Sequence, residues 1–177
     1  MSEKSRTEPR SAAVWLWLSA AIIVLDQYTK WLIAQQFDLY QRLDLLPMLS
    51  ITRLHNTGAA FSFLSDAGGW QRWFFIVLGL AVSALVVVWL RRLPRRGRSW
   101  LAAALALVVG GAIGNIIDRM HLGYVLDFII VHYDPLFLPA FKVADSAITV
   151  SAVVLLIESL LAGDDHIPSR RHEKVDP

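Results

Sequence analysis

The stretch WFFIVLGLAVSALVVVWL at residues 73–90 decides the fold, because it holds no charged residue over a length that can cross a lipid bilayer. A second uncharged stretch follows at 99–117. Two more apolar stretches, at 12–34 and 143–162, flank this pair and carry only isolated charges. We therefore predict an all-α membrane protein with four transmembrane helices.

The composition of the whole chain agrees with this class. Of its 177 residues, 55% are hydrophobic and 18% are charged, and the mean hydropathy of +0.48 is too high for an ordinary soluble domain. The chain has no cysteine, which excludes disulfides, thiolate metal sites and a thiol nucleophile. Since the basic residues lie beside apolar spans, membrane topology explains them and we expect no nucleic-acid partner. The sequence indicates no cofactor and no obligate protein partner.

The first apolar stretch could instead be a cleavable signal peptide. However, Asp26 and Lys30 follow its apolar part directly, and the chain then continues with apolar residues from Trp31 instead of turning polar. This order favours a retained helix.

Lysine and arginine residues set the predicted orientation of the helices. They cluster before the first span, between the second and third, and after the fourth: Lys4, Arg6, Arg10, Arg91, Arg92, Arg95, Arg96, Arg98, Arg170, Arg171 and Lys174. By the positive-inside rule, the tails 1–11 and 163–177 and the loop 91–98 are cytoplasmic. The loops 35–72 and 118–142 then face outward.

The first outer loop is too long for a simple connection. Apolar and polar residues alternate over 48–54, and the turn-like Asn56-Thr57-Gly58 follows. We predict a small extracytoplasmic β-element in this loop.

Several polar residues lie within the spans or at their outer ends, where the membrane makes them costly. Asp26 and Lys30 are four residues apart on a helix and can form an ion pair. Asn115 and Asp118 share a helix face, and Asp118 with Arg119 could form a local salt-bridged cap. Gly110 and Gly114 form a face of small residues that allows another helix to approach closely. Structural roles account for these residues, and we expect positioning from them before catalysis.

Asp127 and Asp145 are the candidate catalytic residues. Taken singly, Asp127 could lie in a loop turn and Asp145 could cap the fourth helix. Together they are two carboxylates at the same predicted membrane depth in apolar surroundings, so desolvation and repulsion would favour a shared proton. One can then act as general base on water and the other as general acid, as in aspartic proteases.

Two other functions remain open from the residues alone. A serine–lysine peptidase could pair Lys142 with Ser146, or use Lys30. A transporter subunit or assembly factor could line a pathway with the intramembrane charges. No His-Glu-x-x-His motif occurs, and the histidines have no short metal-ligand spacing, so we predict no metal site.

Five blocks in order resemble the lipoprotein signal peptidase family, the signal peptidase II enzymes of bacteria. They read DQYTK at 26–30, NTGAAFS at 56–62, GNIIDR at 114–119, VLDF at 125–128 and FKVADS at 141–146. The resemblance implies a membrane aspartyl endopeptidase that removes the signal peptide from diacylglyceryl-modified prolipoproteins, N-terminal to the lipid-modified cysteine. It also implies a multi-pass protein of the bacterial inner membrane, with membrane lipid as its surroundings and the active site at the periplasmic face.

The resemblance assigns roles to residues by position in these blocks. Asp127 and Asp145 would form the catalytic dyad. Substrate contact or orientation would fall to Asn56, Gly58, Asn115 and Arg119, and support of the site to Asp26, Lys30 and Asp118. One position departs from the family pattern, because Lys142 stands where the block around the second aspartate usually has asparagine. Its cation could lower the pKa of Asp145, alter peptide contacts or extend outward to the interface.

Overall fold

The computed structural model describes residues 11–58, 68–94, 97–133, 136–137 and 139–163. It contains four long α-helices and four β-strands. The helices are α1 (Leu16–Gln36), which follows a short 3₁₀ turn at Ala12–Trp15, α2 (Trp70–Arg92), α3 (Ser99–His121) and α4 (Val143–Gly163). The strands are β1 (Arg42–Leu46), β2 (Leu49–Asn56), β3 (Val125–Tyr133) and β4 (Leu136–Phe137).

Each helix is long and apolar enough to cross a membrane, which confirms the four predicted spans. The ends of the α-helices differ from the predicted bounds by up to four residues, because the pattern of charges marks the apolar part of a helix and not its first or last turn. The orientation with both tails inside stays a prediction. Most of the basic residues on which it rests, in 1–10, 95–96 and 164–177, lie outside the described residues.

α3 is the central helix and packs against the other three. The small residues of α3 permit this close packing, as predicted for the face that carries Gly110 and Gly114. A Cβ atom at Gly110 would lie 2.9 Å from the Cβ of Ile22 on α1, and one at Gly114 would lie 2.7 Å from Oδ2 of Asp26. The close approach brings the polar residues of α1 within hydrogen-bonding distance of α3 and α4.

The four strands form one antiparallel sheet in the order β1-β2-β3-β4. The β-element predicted in the first outer loop is present as β1 and β2. The fold is mostly helical, as predicted, but the restriction of the β-element to that loop was wrong, because β3 and β4 come from the segment 118–142. The run YVLDFIIVHY, Tyr124 to Tyr133, is apolar and rich in β-branched residues, and it extends along β2.

The sheet also fixes the start of α4. Phe141 forms an isolated bridge with Ile129 of β3, with backbone hydrogen bonds of 2.9 Å from Ile129 N to Phe141 O and 2.8 Å from Phe141 N to Ile129 O. Lys142 and the first turn of α4 follow immediately. As a result, the first turn of α4 lies beside Asp127 on β3.

Candidate active site

Asp127 and Asp145 come together from different elements of the fold. Asp127 lies on β3 opposite Leu54 of β2, so the interpretation of Asp127 as a loop turn was wrong. Asp145 lies in the first turn of α4. Each carboxylate accepts a hydrogen bond from a side-chain amide: Asn56 Nδ2 donates to Asp127 Oδ2 at 2.9 Å, and Asn115 Nδ2 donates to Asp145 Oδ1 at 3.2 Å. The structure thus joins four of the predicted site residues in one cluster.

Lys142 lies between the two aspartates. Its Nζ atom is 2.5 Å from Asp127 Oδ1 and 2.7 Å from Asp145 Oδ2. Only 3% of the residue is exposed, so the interpretation that Lys142 extends outward to the interface was wrong. The three side chains form an ion cluster in which Lys142 and Asp127 are buried and Asp145 is about one-third exposed. Each carboxylate has one oxygen on the ammonium group and the other on an amide.

The electrostatics of this cluster combine burial and charge. Burial raises the pKa of Asp127 above its ordinary value, although Lys142 and the hydrogen bond from Asn56 act in the opposite direction. Burial acts to lower the pKa of Lys142, but the two carboxylates outweigh it and the pKa is raised. Lys142 is therefore a cation at neutral pH, and Asp127 takes up a proton more readily than an exposed aspartate.

Arg119 and Gly58 border the dyad on one side. Arg119 Nη2 donates to the carbonyl oxygen of Gly58 at 2.9 Å, and the guanidinium lies 4.8 Å from the ring centroid of Phe75 on α2. The Gly58 N–H in turn donates to Asn56 Oδ1 at 2.9 Å. Among the described residues, the buried Nε atom of Arg119 has no hydrogen-bond partner, so the guanidinium keeps a donor available.

The cluster opens into a cavity of about 360 Å³ between α2, α3, α4 and the sheet. Its polar wall consists of Asn56, Gly58, Asn115, Arg119, Asp127, Lys142 and Asp145. Its apolar wall consists of Phe75, Leu78, Gly79, Val82, Val108, Ala112, Ile116, Val125, Ala140 and Ile148. One cavity thus offers carboxylates at one end and an apolar surface between helices at the other, which suits an amphiphilic substrate.

Asp26, Lys30 and Asp118 form a second, separate network. Lys30 Nζ pairs with Asp26 Oδ2 and lies 2.9 Å from Asp118 Oδ2. The pair of Asp26 with Lys30 is confirmed, whereas Asp118 pairs with Lys30 across two helices instead of forming the cap with Arg119.

This network also reaches the elements that carry the dyad. Asp26 Oδ1 accepts the backbone N–H of Ala144 at 2.8 Å, so it caps the N-terminus of α4. Asp118 Oδ2 accepts the N–H of Leu126 at 3.1 Å on β3. The network therefore holds the two elements on which Asp145 and Asp127 lie.

Two contributors were missed at the sequence level. Gln27 donates to Asp118 Oδ1 at 2.8 Å and to the Gly114 carbonyl at 3.2 Å, and only its place inside the first block could have indicated this. Phe75 lines the cavity beside Arg119. Nothing in the sequence separates an aromatic residue that lines a cavity from one that faces lipid.

The serine–lysine alternative does not fit the geometry. Ser146 Oγ donates to the backbone carbonyl of Lys142 at 3.0 Å, while the Lys142 Nζ is engaged by the two aspartates. Within the described residues, no three His, Asp or Glu side chains are placed to hold a metal ion. The acid–base groups available at this cavity are therefore the aspartates.

Two carboxylates at one cavity, between helices long and apolar enough to cross a membrane, are the arrangement expected of a membrane aspartic protease. A family model described as Signal peptidase (SPase) II matches residues 18–161. The chain belongs to the signal peptidase II family and is an aspartic endopeptidase.

Individual relatives agree with this assignment. The chain is 52% identical over 146 residues to the lipoprotein signal peptidase of Pseudomonas aeruginosa strain PAO1, covering 81% of this chain and 86% of the relative. It is 53% identical over 146 residues to that of Acinetobacter baumannii, covering 82% of each. A solved structure described as a bacterial membrane enzyme, determined by the in meso method, superposes with a TM-score of 0.78 at 26% identity, covering 87% of this chain and 92% of that one.

Proposed function

We propose that this protein cleaves the signal peptide from diacylglyceryl-modified prolipoproteins, on the N-terminal side of the lipid-modified cysteine, by water attack assisted by Asp127 and Asp145. The observation that carries the proposal is the convergence of these two carboxylates at the polar end of a largely apolar cavity. The relatives from Pseudomonas aeruginosa and Acinetobacter baumannii are described as lipoprotein signal peptidases, which supports the proposed substrate class.

The proposed reaction divides the work between the two carboxylates. One takes a proton from water as it attacks the scissile carbonyl, and the other gives a proton that ends on the leaving amine. Asn56 and Asn115 hold the carboxylates in place through their amide hydrogen bonds. Arg119 positions Gly58 beside the site, where the substrate backbone would pass.

The substrate would span both ends of the cavity. Its apolar signal helix and acyl chains would pack along the apolar wall between α2, α3 and α4, while the scissile bond would lie at the aspartates. This placement agrees with the predicted orientation, in which the sheet and the dyad face the periplasm and the chain spans the bacterial inner membrane. Water reaches this interface but not the bilayer centre, so hydrolysis is possible there.

The test is processing of a purified diacylglyceryl-modified prolipoprotein by the wild type and by Asp127→Asn and Asp145→Asn. Each substitution keeps the side-chain shape but removes the ionisable group, so we expect cleavage to fall by about 100- to 10,000-fold. Asp44→Asn is the matched control, because Asp44 is an exposed aspartate on β1 outside the cavity. Cleavage is read as a mobility shift.

Circular dichroism and thermal unfolding establish that each variant is folded. Full cleavage by either folded Asp→Asn variant at the dyad would refute the assignment of the catalytic pair. Equal processing of a prolipoprotein that lacks the diacylglyceryl group would refute the proposed substrate class.

A further inference from the structure

The ammonium group of Lys142 occupies the space between the dyad carboxylates. Its Nζ atom lies within 2.7 Å of an oxygen of each aspartate. A water molecule that bridges the same two oxygens would need the same space. The division of labour in an aspartic protease needs one proton on the carboxyl pair, whereas a cation between them favours the state in which both are ionised.

We propose that Lys142 sets the pH range of cleavage by stabilising the ionised form of the substrate-free dyad, so that the catalytic proton is taken up only at a more acidic pH than the same dyad would require without this cation. This inference rests on the proposed function of Asp127 and Asp145. Lys142 is a positioning residue in this proposal, since it acts through the two aspartates.

The charges around the dyad show why Lys142 is the decisive group. Its direct partners are Asp127 from β3 and Asp145 from α4. From β2 and α3, the hydrogen-bonded neighbours are the uncharged amides of Asn56 and Asn115.

In the part of the chain that the structure describes, the remaining charged groups near the dyad come from α3 and α1. Arg119 on α3 is a second cation that interacts with both aspartates, but its guanidinium is fixed on Gly58 and Phe75. Asp118 of α3 pairs with Lys30 of α1, which also pairs with Asp26. These charges remain when Lys142 is replaced. A change in the pH dependence of cleavage after that replacement therefore reports the loss of this one cation.

Proton uptake also explains how the site would become available. When one carboxyl is protonated, its attraction to the ammonium group weakens, because an ion pair becomes a hydrogen bond between a cation and a neutral acid. The Lys142 side chain can then withdraw from one oxygen. A water molecule gains the position between the two carboxyls, where one is now the acid and the other the base.

The test compares the pH dependence of kcat/KM in the wild type, Lys142→Met and Lys142→Asn, with a fluorogenic peptide that carries a diacylglyceryl cysteine as substrate. An opposite charge within ~4–6 Å lowers a carboxyl pKa by about 1 to 3 units, so its removal raises the pH at which the dyad holds one proton. We therefore expect the alkaline limb of the profile to move upward by about 1 to 3 pH units in both neutral variants. Lys142→Arg keeps the cation and should keep the wild-type limb.

A profile of Lys142→Met or Lys142→Asn with an unmoved alkaline limb, or one moved to lower pH, would overturn the inference. A purely structural lysine would lower kcat/KM equally at every pH. Where neither neutral variant is active, the infrared band of the protonated carboxyl group is titrated in the purified proteins, with Asp127→Asn and Asp145→Asn to assign it. The band must then appear at higher pH without the cation, and an unchanged titration overturns the inference.

Failure of the proposed function would look different. In that case the wild type would not cleave the lipid-modified peptide at any pH, or a folded Asp127→Asn variant would remain active. Failure of the present inference leaves wild-type cleavage and its loss in the aspartate variants intact, and alters only the comparison at Lys142.

Discussion

Replacing Lys30 with methionine tests whether the network on α1 holds the active site together. The substitution keeps the length of the side chain but removes the ammonium group, which is the shared partner of Asp26 and Asp118. Lys30 is 4% exposed and Asp26 is fully buried, so the two carboxylates lose their cation without gaining water. Removing one member of a buried ion pair costs about 3 to 5 kcal/mol, because it leaves an uncompensated charge.

The hydrogen bonds that remain indicate the lower part of this range. Asp118 keeps the donors Gln27 and Leu126 N, and Asp26 keeps Ala144 N. The lower part of the range is about 3 to 4 kcal/mol, and for a chain of this size each kcal/mol corresponds to about 2 to 4 °C in Tm, so we expect Tm to fall by roughly 6 to 16 °C. Thermal unfolding in detergent, followed by tryptophan fluorescence, measures the change.

Two further variants sharpen this experiment. Arg42→Met removes a cation from the exposed pair with Asp44 and should change Tm little, since solvent screens that pair. Adding Asp118→Asn to Lys30→Met removes one of the two uncompensated charges and should recover part of the lost Tm. A fall of less than about 2 °C for Lys30→Met, or no recovery in the double variant, would refute the reasoning.

Two other predictions concern the central helix. Arg119→Lys cannot both reach the Gly58 carbonyl and stack on Phe75, so we expect kcat/KM to fall roughly tenfold or more, and an unchanged value would contradict a positioning role. Gly114→Ala places a methyl group 2.7 Å from Oδ2 of Asp26, so we expect a destabilisation of about 1 to 3 kcal/mol with lower Tm and reduced cleavage. Wild-type stability of Gly114→Ala would show that α1 and α3 are not packed as closely as described.

The helices of this fold could be predicted well from the sequence because a bilayer imposes one strong rule. A span needs about 20 apolar residues, and the runs at 73–90 and 99–117 meet that rule without any reference to the rest of the chain. The ends were less certain, since Trp70 and His121 are helical but not part of the apolar runs. Helix ends depend on local hydrogen bonds that hydropathy does not report.

The sheet was only half predicted. Alternation over 48–54 indicated β2, whereas β3 is apolar along most of its length and resembles a helical or interfacial segment in sequence. Its identity as a strand depends on pairing with β2, about 70 residues earlier, and such pairing is a property of tertiary structure.

The candidate site shows the same limit. Asp127 and Asp145 could be predicted as catalytic candidates, because a carboxylate in apolar surroundings is energetically costly and indicates a function. Their order in the family blocks supported this prediction. The position of Lys142 could not be predicted, because a lysine near the membrane interface can extend outward or turn inward. The bridge between Phe141 and Ile129 directs this segment toward β3, and the sequence does not indicate that bridge.

The pairing of β2 with β3 and the docking of Phe141 on β3 have a consequence for biosynthesis. Asn56, Asp127 and Asp145 are supplied by three segments that leave the ribosome at different times. A nascent chain that ends between Asp127 and Phe141 contains Asp127 and its amide partner Asn56, but neither Lys142 nor the first turn of α4. Under the proposed roles of Asp127 and Asp145, an unfinished chain is inactive, and cleavage begins only once the last helix has docked on the sheet.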